Sequence, residues 1–470
     1  MPIAKGVRLA VKIIGVLAGT VVVLFLGALA INLFDEQLTP AARDLLTPPP
    51  NPYPAESNIY VAMAGVRAPS GQSMIEAGES RIEAYERALG TIMVDPDAAA
   101  AFIKKSESNK LDVEGDLLSW SPLPSSIWSN ARAHRDEIVA LHNENQELYE
   151  RYLALHELHG YYEIAEPSVM APFVFVPQRL RTLFLAYVAT RIQTGTRQQE
   201  RAALDDLQAD LVLWRTVLKG NGTLLSKMLA TSALHGDLLL IGDLVTDPQT
   251  DLSAVAGDQA RLVTLFNITD WQIGDVFAAE MRFQDSIFRG ISQTSFPVAG
   301  SAARPLNGWQ RFWNALQGQF FRLRASENMA AEHAEHLRAL ADANPAEFST
   351  ARAAYRGWLQ HRTNLASART LYNPVGKILF SVGSGAYEDY VMRVYDVAAF
   401  QRLVCLAYQI RRQNLGAKDI PLFMIQHPEW ATHPIDAKSF NWDPATSTVA
   451  VITAGRQSLG RRFSLTLPSP

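Results

Sequence analysis

Between Ile13 and Phe34 the chain runs for 22 residues without a charge, and it includes the block Thr20-Val-Val-Val-Leu-Phe-Leu26. As a helix rising 1.5 Å per residue this stretch reaches about 33 Å, enough to cross a hydrocarbon core of roughly 30 Å. Lys5, Arg8 and Lys12 precede it and Asp35 and Glu36 follow it. That placement of Lys and Arg predicts a cytoplasmic tail over residues 1–12, a transmembrane helix over 13–34, and export of the other 436 residues. A cleaved signal peptide is the alternative, because Ala28-Leu29-Ala30 has the small-x-small form of a cleavage site. The run exceeds the 7–15 residues usual for a signal core, which favours the anchor. A lipidated N-terminus is excluded, since no cysteine lies near the end of the run. A buried core helix would be expected to show a polar side, and none is present here.

Composition narrows what the exported part can do. The whole chain has 43 Lys+Arg against 47 Asp+Glu, and removing the first 34 residues shifts the formal charge from −4 to −7. Such a balance leaves no basic excess for neutralising a phosphate backbone, so nucleic acid is not an expected partner. Cys405 is the one cysteine, which rules out an intramolecular disulfide and a Cys-based zinc site. With 48% hydrophobic residues the chain has enough apolar surface to bury a core.

Pro40, Pro48, Pro49, Pro50, Pro52 and Pro54 mark residues 35–57 as an expected Pro-rich linker, extended from Pro48 onward. Residues 58–120 read as a small mixed α segment, with helical character in Ser80–Leu89. Residues 121–415 read as one helical domain. Helices are expected over Ala131–His159, Pro177–Thr194, Thr196–Leu218, Thr223–Val245, Leu252–Asn267, Trp271–Ile291, Leu306–Ala343, Ala346–His361 and Tyr387–Leu415. No fixed repeat period links them, so the expected architecture is a mainly α, irregular multi-helix array, solenoid-like or bundled. From 416 to 470 prolines break any helix, and Thr448–Thr453 and Phe463–Leu467 alternate as strands. Two short strands are marginal alone, so this tail must dock on the helices or on another strand.

The ending His433-Pro-Ile-Asp-Ala-Lys-Ser-Phe-Asn-Trp-Asp443, with Asn373-Pro-Val-Gly-Lys377 before a long helix, resembles the C-terminal quarter of uncharacterised single-span bacterial envelope proteins. Their Pro-x-x-Gly-Lys-Pro pattern departs here to Ala437 and Ser439. The resemblance implies an inner-membrane setting and a helix-plus-strand ending, and no catalytic residue.

Chemistry-bearing residues occur in four places. His156 and His159 would share a helix face with Glu163 if the helix persisted past Gly160, but the spacing is not that of His-Glu-x-x-His, and a hydrogen-bonded cluster is expected rather than a metal site. His333 and His336 repeat the spacing; Glu332 is placed to pair with His336 on a solvated helix face. The apolar helix Thr223–Val245 carries Lys227, His235, Asp237 and Asp243, each of which needs a partner or access to water. Trp309, Phe312, Trp313, Leu316, Phe320 and Leu323 form a helical apolar stripe expected to pack in the core. Gly220-Asn-Gly-Thr-Leu-Leu-Ser-Lys227 lacks the glycine before lysine of a phosphate loop and reads as a helix–helix turn, while Gly383-Ser-Gly385 is a lone pair of glycines. No nucleophile elbow or Ser-x-x-Lys is present.

No residue thereby acquires a catalytic, cofactor-binding or metal-ligating role. The expected function is that of a membrane-anchored periplasmic helical binding or scaffold protein, held to the bilayer by its first helix and bound to a protein partner. The alternative is an envelope hydrolase or metal-dependent enzyme whose site is dispersed in sequence over His156, His159, Lys227, His235 and Asp237.

Overall fold

A computed structural model describes residues 3–92, 95–107, 110–115, 127–168, 171, 178–252, 257–293, 318–365, 368–454 and 462–468. The chain is mainly helical with a small antiparallel sheet near its C-terminus, and it forms two compact units.

The first unit comprises Met1–Thr47, Met281–Glu335 and Tyr355–Gly385. Its elements are α1 (Ile3–Ile31), α2 (Pro40–Leu46), α15 (Pro374–Gly383), and parts of α12 (Val276–Gln293), α13 (Leu323–Ala341) and α14 (Phe348–Arg362). Val16, Val22, Val23, Leu24 and Leu26 of α1 are each more than half exposed. Helix α2 occupies the first part of the expected linker. Thr39 caps it by accepting the Ala42 amide at 3.2 Å, and Pro40 supplies a preset φ at its first turn. Ala42 is buried with Met281, Phe288, Phe321, Ala330 and Ala331, and Leu38, Leu45 and Leu46 pack around them. Residues 38–46 thus pack against the unit through Ala42, Leu38, Leu45 and Leu46.

Asn373 is the polar hub of this unit. It takes left-handed backbone (φ 50), which asparagine tolerates, and begins α15 with proline following. Its Oδ1 accepts the amides of Gly376 at 3.2 Å and Arg322 at 2.9 Å, its Nδ2 donates to Ser326 Oγ at 2.9 Å, and its own amide donates to Asn32 Oδ1 at 2.8 Å. A side chain at Gly376 would meet Ser326 Oγ at 2.3 Å. The Asn-Pro-x-Gly text is therefore a helix start built for close packing. The expected helix Leu306–Ala343 begins, among the described residues, at Leu323, where Asp35 accepts the amides of Arg324 and Ala325. Of the aromatic stripe, Trp309, Phe312, Trp313 and Leu316 lie outside the described residues.

The second unit comprises Pro48–Glu280, His336–Ala354 and Ala386–Pro470. It contains α3 (Ile59–Gly65), α4 (Met74–Ile92), α5 (Pro96–Glu107), α6 (Ile127–Ala133), α7 (Arg135–Glu144), α8 (Gln146–Ala154), α9 (Gln178–Thr194), α10 (Arg197–Lys219), α11 (Leu224–Thr246), α16 (Tyr387–Arg412), α17 (Ile420–Gln426) and α18 (Pro428–Ala431). Helix α11 is long and apolar enough to cross a membrane, yet 15 of its 23 residues are buried and it packs on α10 and α16, so it is this unit's core helix.

The expected helix Ala131–His159 is instead three helices and a 3₁₀ turn. Buried Asn145 explains one break: its Nδ2 takes the Leu141 carbonyl at 2.7 Å and its Oδ1 takes the Glu114 amide at 2.7 Å, competing with the helical ladder. Over its described residues 257–267 the expected helix Leu252–Asn267 is likewise not an α-helix. Gly257–Val263 and Ile268–Trp271 are 3₁₀ turns, and buried Gln401 of α16 binds the Phe266 amide at 3.1 Å and the Thr264 carbonyl at 3.2 Å.

Strands β1 (Asn441–Asp443), β2 (Thr448–Ile452) and β3 (Arg462–Thr466) pair antiparallel in sequence order, with Val449 opposite Leu465 and Val451 opposite Phe463. Those four side chains are buried, and Leu465 fills the space beside Gly242 of α11. Asp396 of α16 ties the tail down, accepting from Ala454 N at 2.6 Å and lying 3.4 Å from His433 Nε2. Ala437 takes left-handed backbone (φ 53), a conformation that glycine adopts more readily than alanine.

Helices α3 and α4 cross at glycines. A methyl on Gly78 would lie 2.0 Å from the Val61 carbonyl oxygen, and backbone cannot yield as a flexible side chain does. Gly78→Ala is expected to cost about 1–3 kcal/mol in a urea melt. Gly90→Ala, at an exposed site of the same helix with nothing nearby, is expected to stabilise by about 0.5–1 kcal/mol. Equal midpoints for the two variants would contradict this account of the crossing.

Candidate functional site

Helix α11 must satisfy the polar groups it carries into the core. Asp237 is fully buried and faces Arg181 of α9, whose Nη2 donates to Asp237 Oδ1, to the Ala233 carbonyl at 2.5 Å, and at 3.4 Å to Asp210 Oδ2 of α10. Asp210 Oδ1 also accepts from Tyr152 Oη at 2.5 Å and lies 3.2 Å from His156 Nε2. Trp214 Nε1 donates to Tyr152 Oη at 3.1 Å.

Two carboxylates thus share one guanidinium. Burial acts against charge on Arg181, but Asp237 and Asp210 overcome it and hold its pKa up. Burial also acts against charge on Asp210, yet the His156 bond and Arg181 keep its pKa below the usual range. Asp237, with fewer donors and no partner for Oδ2, is pushed well above that range by burial. The cluster is the junction that locks α8 to α11 together.

A second layer lies at the α10–α11 turn. Glu163 accepts the Thr223 amide at 3.0 Å, the Tyr161 hydroxyl at 2.7 Å and the Ser226 hydroxyl, while Glu280 of α12 accepts the Leu224 amide at 2.8 Å. Both carboxylates therefore sit on the positive end of α11. Lys227 Nζ donates to the Val217 carbonyl at 2.8 Å and to that of Gly220, capping the negative end of α10. Burial lowers Lys227 to about 7, opposed by Glu163, and raises Glu280 to about 7. The Gly220–Lys227 text is a helix–helix turn whose lysine serves backbone carbonyls.

The remaining sequence candidates separate. His159 is exposed, His156 joins Asp210, and Glu163 joins the α11 start, because the helix ends before Gly160. His333 is buried rather than on a solvated face: it stacks against Tyr355 and Trp358 and lies 3.1 Å from Tyr355 Oη. Glu332 pairs with Arg362. Asp243 is raised to about 6 by burial, with Asp247 adding repulsion. Among the described residues no three His, Cys, Asp or Glu side chains are placed to hold a metal ion.

A cavity of about 910 Å³ lies elsewhere, walled by α3, α4, α5 and the loop 66–73. Arg67, Arg81, Arg87, Lys105 and Lys110 line it, with Glu76 the one acidic lining residue. Its lip is fixed from outside. Arg151 of α8 donates to the carbonyls of Val66 (3.2 Å), Ala68 (2.6 Å), Pro69 (3.0 Å) and Gln72 (3.2 Å), and Glu147 accepts from Ser70 Oγ at 2.6 Å. Gly71 takes φ 76, which glycine allows without strain. Arg81 Nη1 is held at 3.2 Å by the Ala64 carbonyl and Arg67 Nε at 2.9 Å by that of Leu111. The result is a preformed opening whose lining holds five basic residues and one acidic one, with Arg67 also paired to Asp112 at 3.3 Å. Sequence reasoning missed it because these five residues follow no helical or strand period and the chain as a whole is acidic.

No protein-family model, curated protein or solved structure matches the chain.

His235 supplies a readout of the core. It packs between Phe400 and Phe463, and burial, with Arg181 nearby, lowers its pKa to about 4. The unfolded imidazole titrates near 6.5, so the unfolded chain takes up the proton first as pH falls. This contribution is complete above pH 6.5 and is lost between about 6.5 and 4, to the extent of ~3 kcal/mol. His235→Leu is expected to flatten the stability curve across that window; a variant curve parallel to the parent's would refute the assignment.

Proposed function

We propose that this chain is a membrane-anchored helical binding module of a bacterial envelope. In this reading α1 spans the inner membrane, residues 1–12 stay in the cytoplasm, and the folded remainder stands in the periplasm. The cavity walled by α3, α4 and α5 receives an acidic segment of a partner protein. The observation that carries the anchor is the exposure of Val16, Val22, Val23, Leu24 and Leu26 on α1, a helix that carries Lys5, Arg8 and Lys12 near its start and is followed by Asp35 and Glu36. Left in water, that surface would drive aggregation. The binding role is supported by the preformed cavity. The envelope setting agrees with the resemblance of the C-terminal quarter.

Extraction and protease access test the anchor. The full chain is expected in the membrane fraction after alkaline carbonate washing, with its bulk digested in spheroplasts and spared in intact cells. Recovery in the soluble fraction, or protection of the bulk in spheroplasts, would overturn this topology.

The cavity is tested with a polyglutamate peptide. Binding is expected to weaken with salt and to drop roughly tenfold or more, ~1.4 kcal/mol per decade, in Arg87→Glu/Lys105→Glu. Both residues are solvent-facing, so the fold tolerates the exchange. Equal affinity of parent and variant would remove the cavity from the proposal.

A further inference from the structure

The end of α1 is built into its unit. Asn32 Nδ2 donates to the Leu371 carbonyl at 2.6 Å, and Asn32 Oδ1 accepts the Asn373 amide at 2.8 Å. Asn32 is fully buried. Deeper along the helix, the ring of Phe25 lies 6.0 Å from that of Phe320, and the Phe320 carbonyl accepts the Val375 amide of α15 at 3.2 Å. Phe25 precedes Asn32 by seven residues, about 10 Å along the helix axis. If α1 spans a bilayer, the protein touching Phe25 already lies at the depth of the lipid.

The surface around this junction suits that depth. Leu33 and Phe34 are 60% and 77% exposed, and Leu371, Ile378 and Val382 are 47%, 49% and 82% exposed. Ile378 and Val382 are four apart on α15, hence on one face. From Tyr372 to Ala386 the one charged residue is Lys377, whose Nζ donates to the Tyr372 carbonyl at 2.8 Å and lies 6.0 Å from the Tyr372 ring. Tyrosine and lysine beside an apolar helix face are the residue types that settle at the boundary between headgroups and acyl chains.

We infer that this unit is immersed to headgroup depth, with α15 lying in the bilayer interface beside α1 and its Ile378/Val382 face turned into lipid. The inference rests on the membrane reading of α1. What covers the face is lipid rather than another chain, because α15 starts after Asn373, which is bonded to Asn32 where α1 leaves the hydrocarbon. The interfacial helix then fixes the height of the unit and limits its tilt, as a second contact does for a single anchor.

The test uses the full chain in nanodiscs, with an environment-sensitive fluorophore on a single introduced thiol at Val22→Cys, Val382→Cys or Ile425→Cys. Native Cys405 is buried and its pKa is raised by that burial to about 12, so labelling goes to the introduced thiol. All three positions are more than half exposed, so folding is not at issue. Spin-labelled lipid is expected to quench the probes at 22 and 382 several-fold more than the probe at 425 in the other unit. Quenching at 22 with a water-exposed, unquenched probe at 382 would overturn the inference and leave the anchor standing. A shielded but unquenched probe at 382 would also overturn it, in favour of a protein cover. An unquenched probe at 22 would overturn the anchor and this inference together.

Discussion

A charge in a protein interior must be paired, and α11 places Lys227 and Asp237 where water does not reach. Much of the second unit follows from that requirement. Asp237 fixes Arg181 on α9; Arg181 in turn holds Asp210 on α10; Asp210 gathers Tyr152 and His156 from the end of α8. Lys227 and Glu163 close the α10–α11 turn from opposite sides, each placed on the helix end that complements its sign. These groups join helices that lie far apart in the sequence.

In the first unit the end of α1 is joined to its neighbours by neutral groups. Asn32 and Asn373 exchange backbone and side-chain bonds, and Asn373 further anchors Arg322, Ser326 and Gly376. Amides serve well here because each offers donors and acceptors together and carries no charge to desolvate. The end of an apolar helix can thereby be joined firmly to a folded body. Asp35 and Glu36, which follow the uncharged run, are also used: Asp35 accepts at the start of α13 and Glu36 accepts from Asn328. A pair of charges that reads as a topological boundary is at the same time a structural fastening.

Net charge is an average, and binding responds to the local field. An overall charge of −4 says nothing about a single cavity whose lining holds five basic residues and one acidic one. Arg151 and Glu147 work from behind that cavity to hold its loop still, so the arrangement does not depend on a ligand to form.

The sequence determined those elements whose burial is periodic or whose ends are punctuated. Helices α9, α10, α11, α14 and α16 and strands β2 and β3 lie within a few residues of where pattern and turn chemistry put them, and the two strands dock on the helices as their shortness required. Only tertiary structure decided where a side chain would outbid the backbone. Asn145 and Gln401 take up backbone groups and end or prevent helices that local pattern favours, and the partners that let them do so come from residues 31 to 137 positions away. It also made Pro40–Leu46 a helix that buries Ala42, because its apolar residues found Met281, Phe288 and Ala330 far along the chain. Periodicity records which face a segment must bury, whereas the identity of what buries it depends on contacts that no short window of sequence contains.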